Sequence, residues 1–114
     1  MLVSPINIEY HGTAVGASSD KTVVVKNSGN GNLILGTITS PSPPFSIKTD
    51  DCSGESLPPL KACKVTYEFL PDSEGTFADS SNIPSNGLSG TPVKVTLKGS
   101  GIAGTSNSIQ LLNP

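Results

Sequence analysis

The clearest alternation of hydrophobic and polar residues in the chain runs over residues 63–69. Its odd positions carry Cys, Val, Tyr and Phe, and its even positions carry Lys, Thr and Glu. A period of two places the first set on one face of a β-strand and the second set on the other. Pro71 has no amide hydrogen for a β-ladder, so we expect the strand to stop there. Residues 21–26, KTVVVK, predict a second buried strand in which Val23 and Val25 point inward.

Five further segments have the length and composition of short strands. They are residues 6–10, 33–38, 45–47, 75–83 and 93–97. The weakest is 75–83, because Asp79 and Ser81 are in phase with its apolar anchors Phe77 and Ile83. We therefore expect that either the middle of this strand faces solvent or a β-bulge shifts its register.

Turn-forming residues separate these segments. Residues 27–32, NSGNGN, tolerate positive φ, and the prolines of residues 40–44, SPSPP, enforce an irregular crossing. His11 and Gly12 interrupt the first strand and indicate a bulge or bend. Seven short strands with turns between them and no helical period predict an all-β domain, a seven-stranded immunoglobulin-like β-sandwich.

Composition supports one small β-rich domain without a strong electrostatic preference. The chain has 114 residues, with 12 Gly, 10 Pro and 14% charged residues. Its formal net charge is −2 without a basic run, so neither a nucleic acid nor an anionic membrane is favoured as a partner. The first ten residues lack the pattern of a signal peptide, and no stretch is apolar enough to cross a membrane. We expect a cytosolic protein or a piece of a longer one.

Cys52 and Cys63 have ten residues between them, including a Ser-Gly and a Pro-Pro pair. This spacing favours a local disulfide, which in the chain-entropy account stabilises the fold by about 3 kcal/mol. Two buried free thiols are the alternative. A metal site is disfavoured because it needs about four ligands, and the sequence adds only one distant histidine.

No catalytic or cofactor-binding set can be assembled from the sequence. His11 is the only histidine, and an exposed structural role fits its place at a strand end better than a role as a catalytic base. We therefore expect no enzyme activity, no cofactor and no bound metal. Two groups of acidic residues raise a loose calcium site as an alternative to solvated turns. These groups are Asp50, Asp51 and Glu55, and Asp72 and Glu74.

An ordered set of short motifs resembles the bacterial choice-of-anchor D domain, which belongs with the ASH and major-sperm-protein-like (MSP-like) immunoglobulin folds. The resemblance covers about residues 5–101. It rests on Tyr10, Val15-Gly16, KTVVVKNSG at 21–29, Leu33, Phe45-Ser46-Ile47, Asp51-Cys52-Ser53-Gly54, Leu57, Pro59 and Cys63, followed by Phe69-x-Pro71, Gly75-Thr76-Phe77, Ile83-x-Ser85-Asn86 and Leu97-x-Gly99-x-Gly101. Two residues depart from the family pattern, since His11 stands in place of a glycine and Ser81 in place of an apolar residue.

The resemblance implies a seven-stranded, non-catalytic module that occurs in tandem within large secreted or cell-surface bacterial proteins, with Cys52 and Cys63 bonded. It also implies a second hypothesis, because the eukaryotic relatives are intracellular protein-binding domains of cilia and centrosomes. The first hypothesis is a structural or adhesive module at the cell surface, outside the cell or in the periplasm.

The two ends of the sequence support a tandem arrangement. Residues 2–5, LVSP, resemble residues 111–114, LLNP, and about one domain length separates them. We therefore expect a domain over residues 1–101 and a linker, or the start of a following repeat, over residues 102–114. The expected partners are neighbouring domains of the same chain and other proteins that add a strand to a free sheet edge.

Overall fold

The computed structural model describes residues 1–86 and 92–103, and these residues form strands and connections without a helix. The strands are β1 Leu2–Ser4, β2 Asn7–Ala14, β3 Ser19–Lys26, β4 Leu33–Ile34, β5 Phe45–Asp50, β6 Ser56–Leu57, β7 Ala62–Phe69, β8 Gly75–Ile83 and β9 Val93–Ile102. None of the described residues forms a helix that is long and apolar enough to cross a membrane.

Two sheets face each other across one core, which confirms the predicted all-β, immunoglobulin-like sandwich. The larger sheet has the order β1-β3-β7-β5 and is antiparallel. The smaller sheet has the order β2-β9-β8, and β2 runs parallel to β9. The short strands β4 and β6 form a separate pair.

The strand count differs from the predicted seven in two places. β1 and β6 are additional strands of three and two residues, which are too short to show a period of two. The third predicted strand, 33–38, is regular only over Leu33–Ile34. Its remainder lies irregularly along the end of β8, where the Gly36 N–H donates to the Pro84 carbonyl oxygen at 2.9 Å and the Thr39 N–H to the Asn82 carbonyl oxygen at 3.1 Å.

The start of the chain contributes to both sheets. β1 pairs with β3 in the larger sheet, the chain passes the cis Ser4–Pro5 peptide, and β2 then pairs with β9 in the smaller sheet. The register between β2 and β9 shifts between Tyr10 and Thr13, which confirms the bulge predicted at His11 and Gly12.

The inward-facing residues follow the predicted alternation. Val23 and Val25 are fully buried, as are Val65, Tyr67 and Phe69 of β7. Four aromatic rings, those of Tyr10, Phe45, Phe69 and Phe77, pack together with Phe69 at the centre. The ring centroid of Phe69 lies 5.4, 5.0 and 6.1 Å from those of Tyr10, Phe45 and Phe77.

The prediction that the middle of β8 either faces solvent or contains a β-bulge was wrong. The register of β8 with β9 is continuous from Gly75 to Ile83, so no bulge occurs, and Ser81 is buried. Its hydroxyl donates to the Thr39 carbonyl oxygen at 2.6 Å and accepts from the Tyr67 hydroxyl at 2.9 Å. A serine fits the inner face here because its hydroxyl has both a donor and an acceptor within hydrogen-bonding distance.

Gly99 and Gly101 of β9 allow the sheets and loops to approach closely. A Cβ atom at Gly99 would lie 2.7 Å from the Phe69 ring, and one at Gly101 would lie 2.3 Å from the Ser73 carbonyl oxygen. Any side chain at Gly99 would therefore displace the ring at the centre of the aromatic cluster.

The described chain starts and finishes at opposite ends of the sandwich. Leu2 pairs with Lys26, and Lys26 pairs with Ala62, at what we call the upper end. Ile102 pairs with Ala14 at the lower end. β9 therefore extends one residue past the boundary predicted at residue 101. Residues 104–114 lie outside the described part, so the linker or following repeat stays a prediction.

Candidate functional site

The loop that contains the two cysteines is closed by a disulfide between Cys52 and Cys63. Cys52 follows β5, Cys63 lies in β7, their Cα atoms are 5.4 Å apart, and both residues are buried. The structure therefore contains the first of the three arrangements considered for this pair. The bond ties the connection between β5 and β7 to the upper end of β7, an inner strand of the larger sheet.

The Asp50 carboxylate holds the start of this loop. It accepts hydrogen bonds from the N–H groups of Cys52 and Ser53, each at 2.9 Å, and from the Ser53 hydroxyl. Partial burial raises the pKa of Asp50, but the hydrogen bonds from Ser53 and Cys52 outweigh it and leave the pKa below its ordinary value. The charged form of Asp50 is therefore the form that the loop stabilises.

Asn27 joins the upper end of the sandwich to the same loop. Its buried side-chain amide donates to the carbonyl oxygens of Gly31 and Leu57, each at 2.7 Å. Its backbone N–H donates to the Lys61 carbonyl oxygen, and its carbonyl oxygen accepts from the Leu60 N–H, both at 2.9 Å. The predicted turn at 27–32 and the turn at 58–61 are thus fixed to each other.

Leu60 lies at the tip of this arrangement. The Lys61 N–H donates to the Pro58 carbonyl oxygen at 3.1 Å, which closes a four-residue turn with Leu60 in its third position. The φ of Leu60 is +71°, a left-handed conformation that is rare for a bulky residue, and the residue is 73% exposed. The Pro-Pro pair signals a turn in the sequence, but nothing in the sequence signals the conformation of Leu60.

The free edges of the sheets are short, irregular or charged. β1 has only three residues, β2 carries the bulge after Tyr10, and the register of β5 shifts next to Lys48. Lys48 also forms an ion pair with Asp20 at 2.8 Å. Such features oppose the addition of a strand from another molecule.

The edge of β8 is partly covered by residues 39–42. The backbone N–H and carbonyl groups of Asn82 bond to Thr39, on the side of β8 that faces away from β9. Because backbone groups alternate along a strand, those of Thr76, Ala78 and Ser80 point to the same side. Asp79 accepts from the Ser80 N–H at 2.8 Å and from the Ser42 N–H at 2.6 Å. Thr76 and Ala78 are exposed and form the part of this edge that residues 39–42 do not cover. At β8, a strand from another protein can therefore pair only with these two residues.

The outer face of the smaller sheet is polar and nearly flat. A shallow depression of about 300 Å³ lies between β2, β9 and β8, and Glu9, Lys98, Ala78 and Ser100 line it. Glu9 lies opposite Lys98 in the register of β2 with β9. Lys94 of β9 lies on the same face, so this face presents an open surface with charges of both signs.

The residues considered for chemistry are dispersed. His11 is exposed in the bulge of β2. No group of three His, Cys, Asp or Glu side chains within residues 1–86 and 92–103 has the geometry of a metal site. Of the two acidic groups considered for calcium, Asp50 uses its carboxylate to hold the cystine loop, whereas Asp72 and Glu74 lie exposed in the turn between β7 and β8.

Comparison with known proteins agrees with this architecture. The family model of the HYDIN/CFA65/VesB-like, Ig-like domain matches residues 8–100. No curated protein sequence matches the chain closely enough to count as a relative.

Several solved structures share the fold at low sequence identity. The ASH/PapD-like domain 7 of human CEP192 superposes with a TM-score of 0.70 and 17% identity, covering 90% of this chain and 84% of that one. The VesB protease of Vibrio cholerae gives 0.72 and 13%, covering 82% and 30%. SSP-19 of Caenorhabditis elegans, an MSP-domain-like protein, gives 0.53 and 16%, covering 90% and 100%.

The chain spans less than a third of the VesB structure, so it corresponds to one part of that protein. At these identities the superpositions show a shared fold, which is that of ASH/PapD-like and MSP domains. Since the family model covers most of its length, the chain belongs to the HYDIN/CFA65/VesB-like, Ig-like domain family.

Proposed function

We propose that this domain is a non-catalytic structural or adhesive module, of the choice-of-anchor D kind, that spaces and presents neighbouring domains of a larger bacterial protein outside the cytoplasm. The observation that carries the proposal is the position of the two ends. The chain starts at the upper end of the sandwich and β9 finishes at the lower end, so modules joined in series extend along a line.

The disulfide supports a location outside the cytoplasm. Structural disulfides persist in oxidising compartments and are rare in the cytosol, where thiols are kept reduced. The bond between Cys52 and Cys63 closes a loop that the hydrogen bonds of Asp50 and Asn27 also hold.

An intracellular protein-binding role is the second candidate. The observation that favours it is the superposition on the ASH/PapD-like domain of CEP192, which covers most of both chains. In that case the expected contact is with another protein, at the exposed part of the β8 edge.

The thiol state of the protein in its native host tests the proposal. Cells are lysed in a reagent that blocks free thiols, and the peptides containing Cys52 and Cys63 are analysed by mass spectrometry. We expect the two cysteines to be bonded to each other and the protein to be in the periplasmic, surface or secreted fraction. Blocked, reduced cysteines in a cytosolic fraction would overturn the proposal in favour of the intracellular role.

A further inference from the structure

The upper end of the sandwich carries an exposed apolar surface that the fold itself does not require. Leu60 holds a left-handed conformation that is less favourable for leucine by about 1–2 kcal/mol, whereas glycine or asparagine adopts it easily. The residue is 73% exposed, so burial within the domain does not compensate for this strain.

Leu2 lies at the same end. Leu2 of β1 pairs with Lys26 at the end of β3, and the Leu60 N–H donates to the carbonyl oxygen of Asn27, the next residue along the chain. Leu2 and Leu60 thus lie on opposite sides of the end of β3. Leu2 is 58% exposed. We call Leu2 and Leu60 the upper patch.

The lower end carries a second pair of exposed apolar residues, Leu70 and Ile102, each 48% exposed. The turn after β2 joins them, because the Val15 N–H donates to the Ile102 carbonyl oxygen and the Gly16 N–H to the Pro71 carbonyl oxygen, both at 3.0 Å. We call Leu70 and Ile102 the lower patch.

The other exposed large apolar residues within the described ranges are Ile6, Val24 and Ile34. Ile34 also lies toward the upper end, because its backbone bonds to Asn86, which follows the upper end of β8. Single exposed apolar residues are ordinary on protein surfaces, whereas two pairs at opposite ends of an elongated module point to contacts along its axis.

We propose that the upper patch is a docking surface for the lower end of another module of this fold in the same polypeptide, with Leu60 contacting the residue equivalent to Leu70. The proposal rests on the tandem role proposed above. The contact is heterologous, because two different patches meet, and it therefore builds a row of modules and not a closed pair.

A weak contact is sufficient for this arrangement. Two domains joined by a short linker experience an effective concentration in the millimolar range. A contact with a dissociation constant equal to that concentration is populated about half of the time within one polypeptide, although separate molecules at micromolar concentration hardly associate. Eight linker residues, as in 103–110, reach at most about 29 Å, so the patches of successive modules stay close to each other.

A two-module protein tests the proposal. Residues 1–110 are followed directly by a second copy that begins at Leu2, so that the second copy takes the place of the LLNP segment. Methyl signals of leucine and isoleucine are recorded by NMR and compared with those of the chain of 114 residues.

Docking makes the two copies inequivalent. Leu60 of the second copy and Leu70 of the first copy are covered by the contact. Leu60 of the first copy and Leu70 of the second copy stay exposed. We therefore expect two sets of methyl signals for each of Leu60 and Leu70, and one set for each of Ile8 and Leu97, which are buried partners in β2 and β9. We also expect the two modules to tumble as one body in ¹⁵N relaxation measurements.

Leu60→Asn provides the matched pair of variants, because asparagine accepts the left-handed conformation and does not endanger folding. In the second copy it should merge the two sets of Leu70 methyl signals into one set and let the two modules tumble independently. In the first copy it should leave the Leu70 signals split.

One set of methyl signals for Leu60 and one for Leu70, together with independent tumbling of the two modules, would overturn the docking proposal. Splitting of Leu70 that survives Leu60→Asn in the second copy would also overturn it, because the contact would then lie elsewhere. Neither result touches the proposed function, which fails on a different observation, the reduced cysteines of a cytosolic protein.

Discussion

Gly99 shows how closely single residues of the two sheets approach each other. A Cβ atom at this position would lie 2.7 Å from the Phe69 ring, which is itself packed against three other rings. We expect Gly99→Ala to lower the free energy of unfolding by about 1–3 kcal/mol, since the ring has no room to move away. Chemical denaturation measures this change.

Gly31→Ala is the control for this prediction. Nothing lies within 4 Å of a Cβ atom at Gly31, so the change in stability should stay within about 0.5 kcal/mol. Equal effects of the two substitutions would show that Phe69 does not make the close contact described.

Leu60 gives the opposite prediction, an increase in stability on removal of a large side chain. We expect Leu60→Asn to raise the free energy of unfolding of the single domain by about 1 kcal/mol, because the left-handed conformation is then unstrained. Thermal unfolding should show a rise in Tm of about 4–8 °C for a domain of this size. Leu60→Ala lacks the local side-chain hydrogen bonds by which asparagine tolerates positive φ, so it should give little of this gain.

At this scale the sequence predicts burial better than it predicts conformation. The alternation of apolar and polar residues correctly identified Val23, Val25 and the inner face of β7 as core. It failed at Ser81, because the pattern contains no sign of the Tyr67 and Thr39 partners that make a buried hydroxyl favourable. It gave no sign of the φ of Leu60, which depends on the turn that Asn27 holds.

At the scale of elements, a chain of buried hydrogen bonds links the two sheets. The Tyr67 hydroxyl of β7 donates to the Ser81 hydroxyl of β8, which donates to the Thr39 carbonyl oxygen. We expect Ser81→Ala to lower the free energy of unfolding by about 1–3 kcal/mol, because it leaves the buried Tyr67 hydroxyl without its acceptor and the Thr39 carbonyl oxygen without its donor.

A double-mutant cycle with Tyr67→Phe identifies the cause of that loss. If the unpaired Tyr67 hydroxyl contributes to it, the double variant should be more stable than the sum of the single losses predicts, with a coupling of about 0.5–3 kcal/mol. Additive losses would show that the hydrogen bond between Tyr67 and Ser81 contributes nothing measurable.

The cystine loop predicts a dependence of stability on pH. The pKa of Asp50 is lowered in the folded state, so Asp50 contributes stability that is present above its ordinary pKa, about 3.9. This contribution is lost as the pH falls through the lower folded value. We expect the free energy of unfolding to fall below pH 4, and to fall less steeply in Asp50→Asn, as measured by denaturation at several pH values.

Asp72→Asn is the control for this experiment, since it removes one acidic side chain from the exposed turn after β7. Its pH profile should run parallel to that of the unchanged chain. A profile of Asp50→Asn that also runs parallel would contradict the role assigned to the Asp50 carboxylate.

Most elements could be predicted because their side chains alternate over five or more residues. β1 and β6 could not, since two or three residues show no period. The 33–38 segment was predicted too long because its apolar pattern continues after Ile34, where pairing with residues 82–86 becomes irregular.

At the scale of the whole molecule, the disulfide is a main contributor to stability. It removes conformational freedom from the unfolded chain, and a loop of this length corresponds to about 3 kcal/mol in the chain-entropy account. We expect added reductant to lower the Tm of the domain. Mass spectrometry must show that the bond was intact before and cut after treatment, and an unchanged Tm under those conditions would contradict this contribution.

The class of fold follows from the sequence because turn residues recur between short alternating segments. The arrangement of the strands does not follow from the sequence. The passage of the chain from β1 in the larger sheet to β2 in the smaller sheet depends on contacts between residues far apart, such as Leu2 with Lys26 and Tyr10 with Gly99. The two exposed patches are equally invisible in the sequence, because Leu60, Leu70 and Ile102 become end residues only once the sandwich has formed.

The parallel pairing of β2 with β9 has a mechanical consequence. The chain leads into β2 from the upper end and leaves β9 at the lower end, so a force that pulls these two ends apart slides the two strands past each other. The hydrogen bonds between them are then loaded in shear and must break nearly together, unlike the bonds of a hairpin that is unzipped from one side. A rod of such modules would resist tension through this pair of strands.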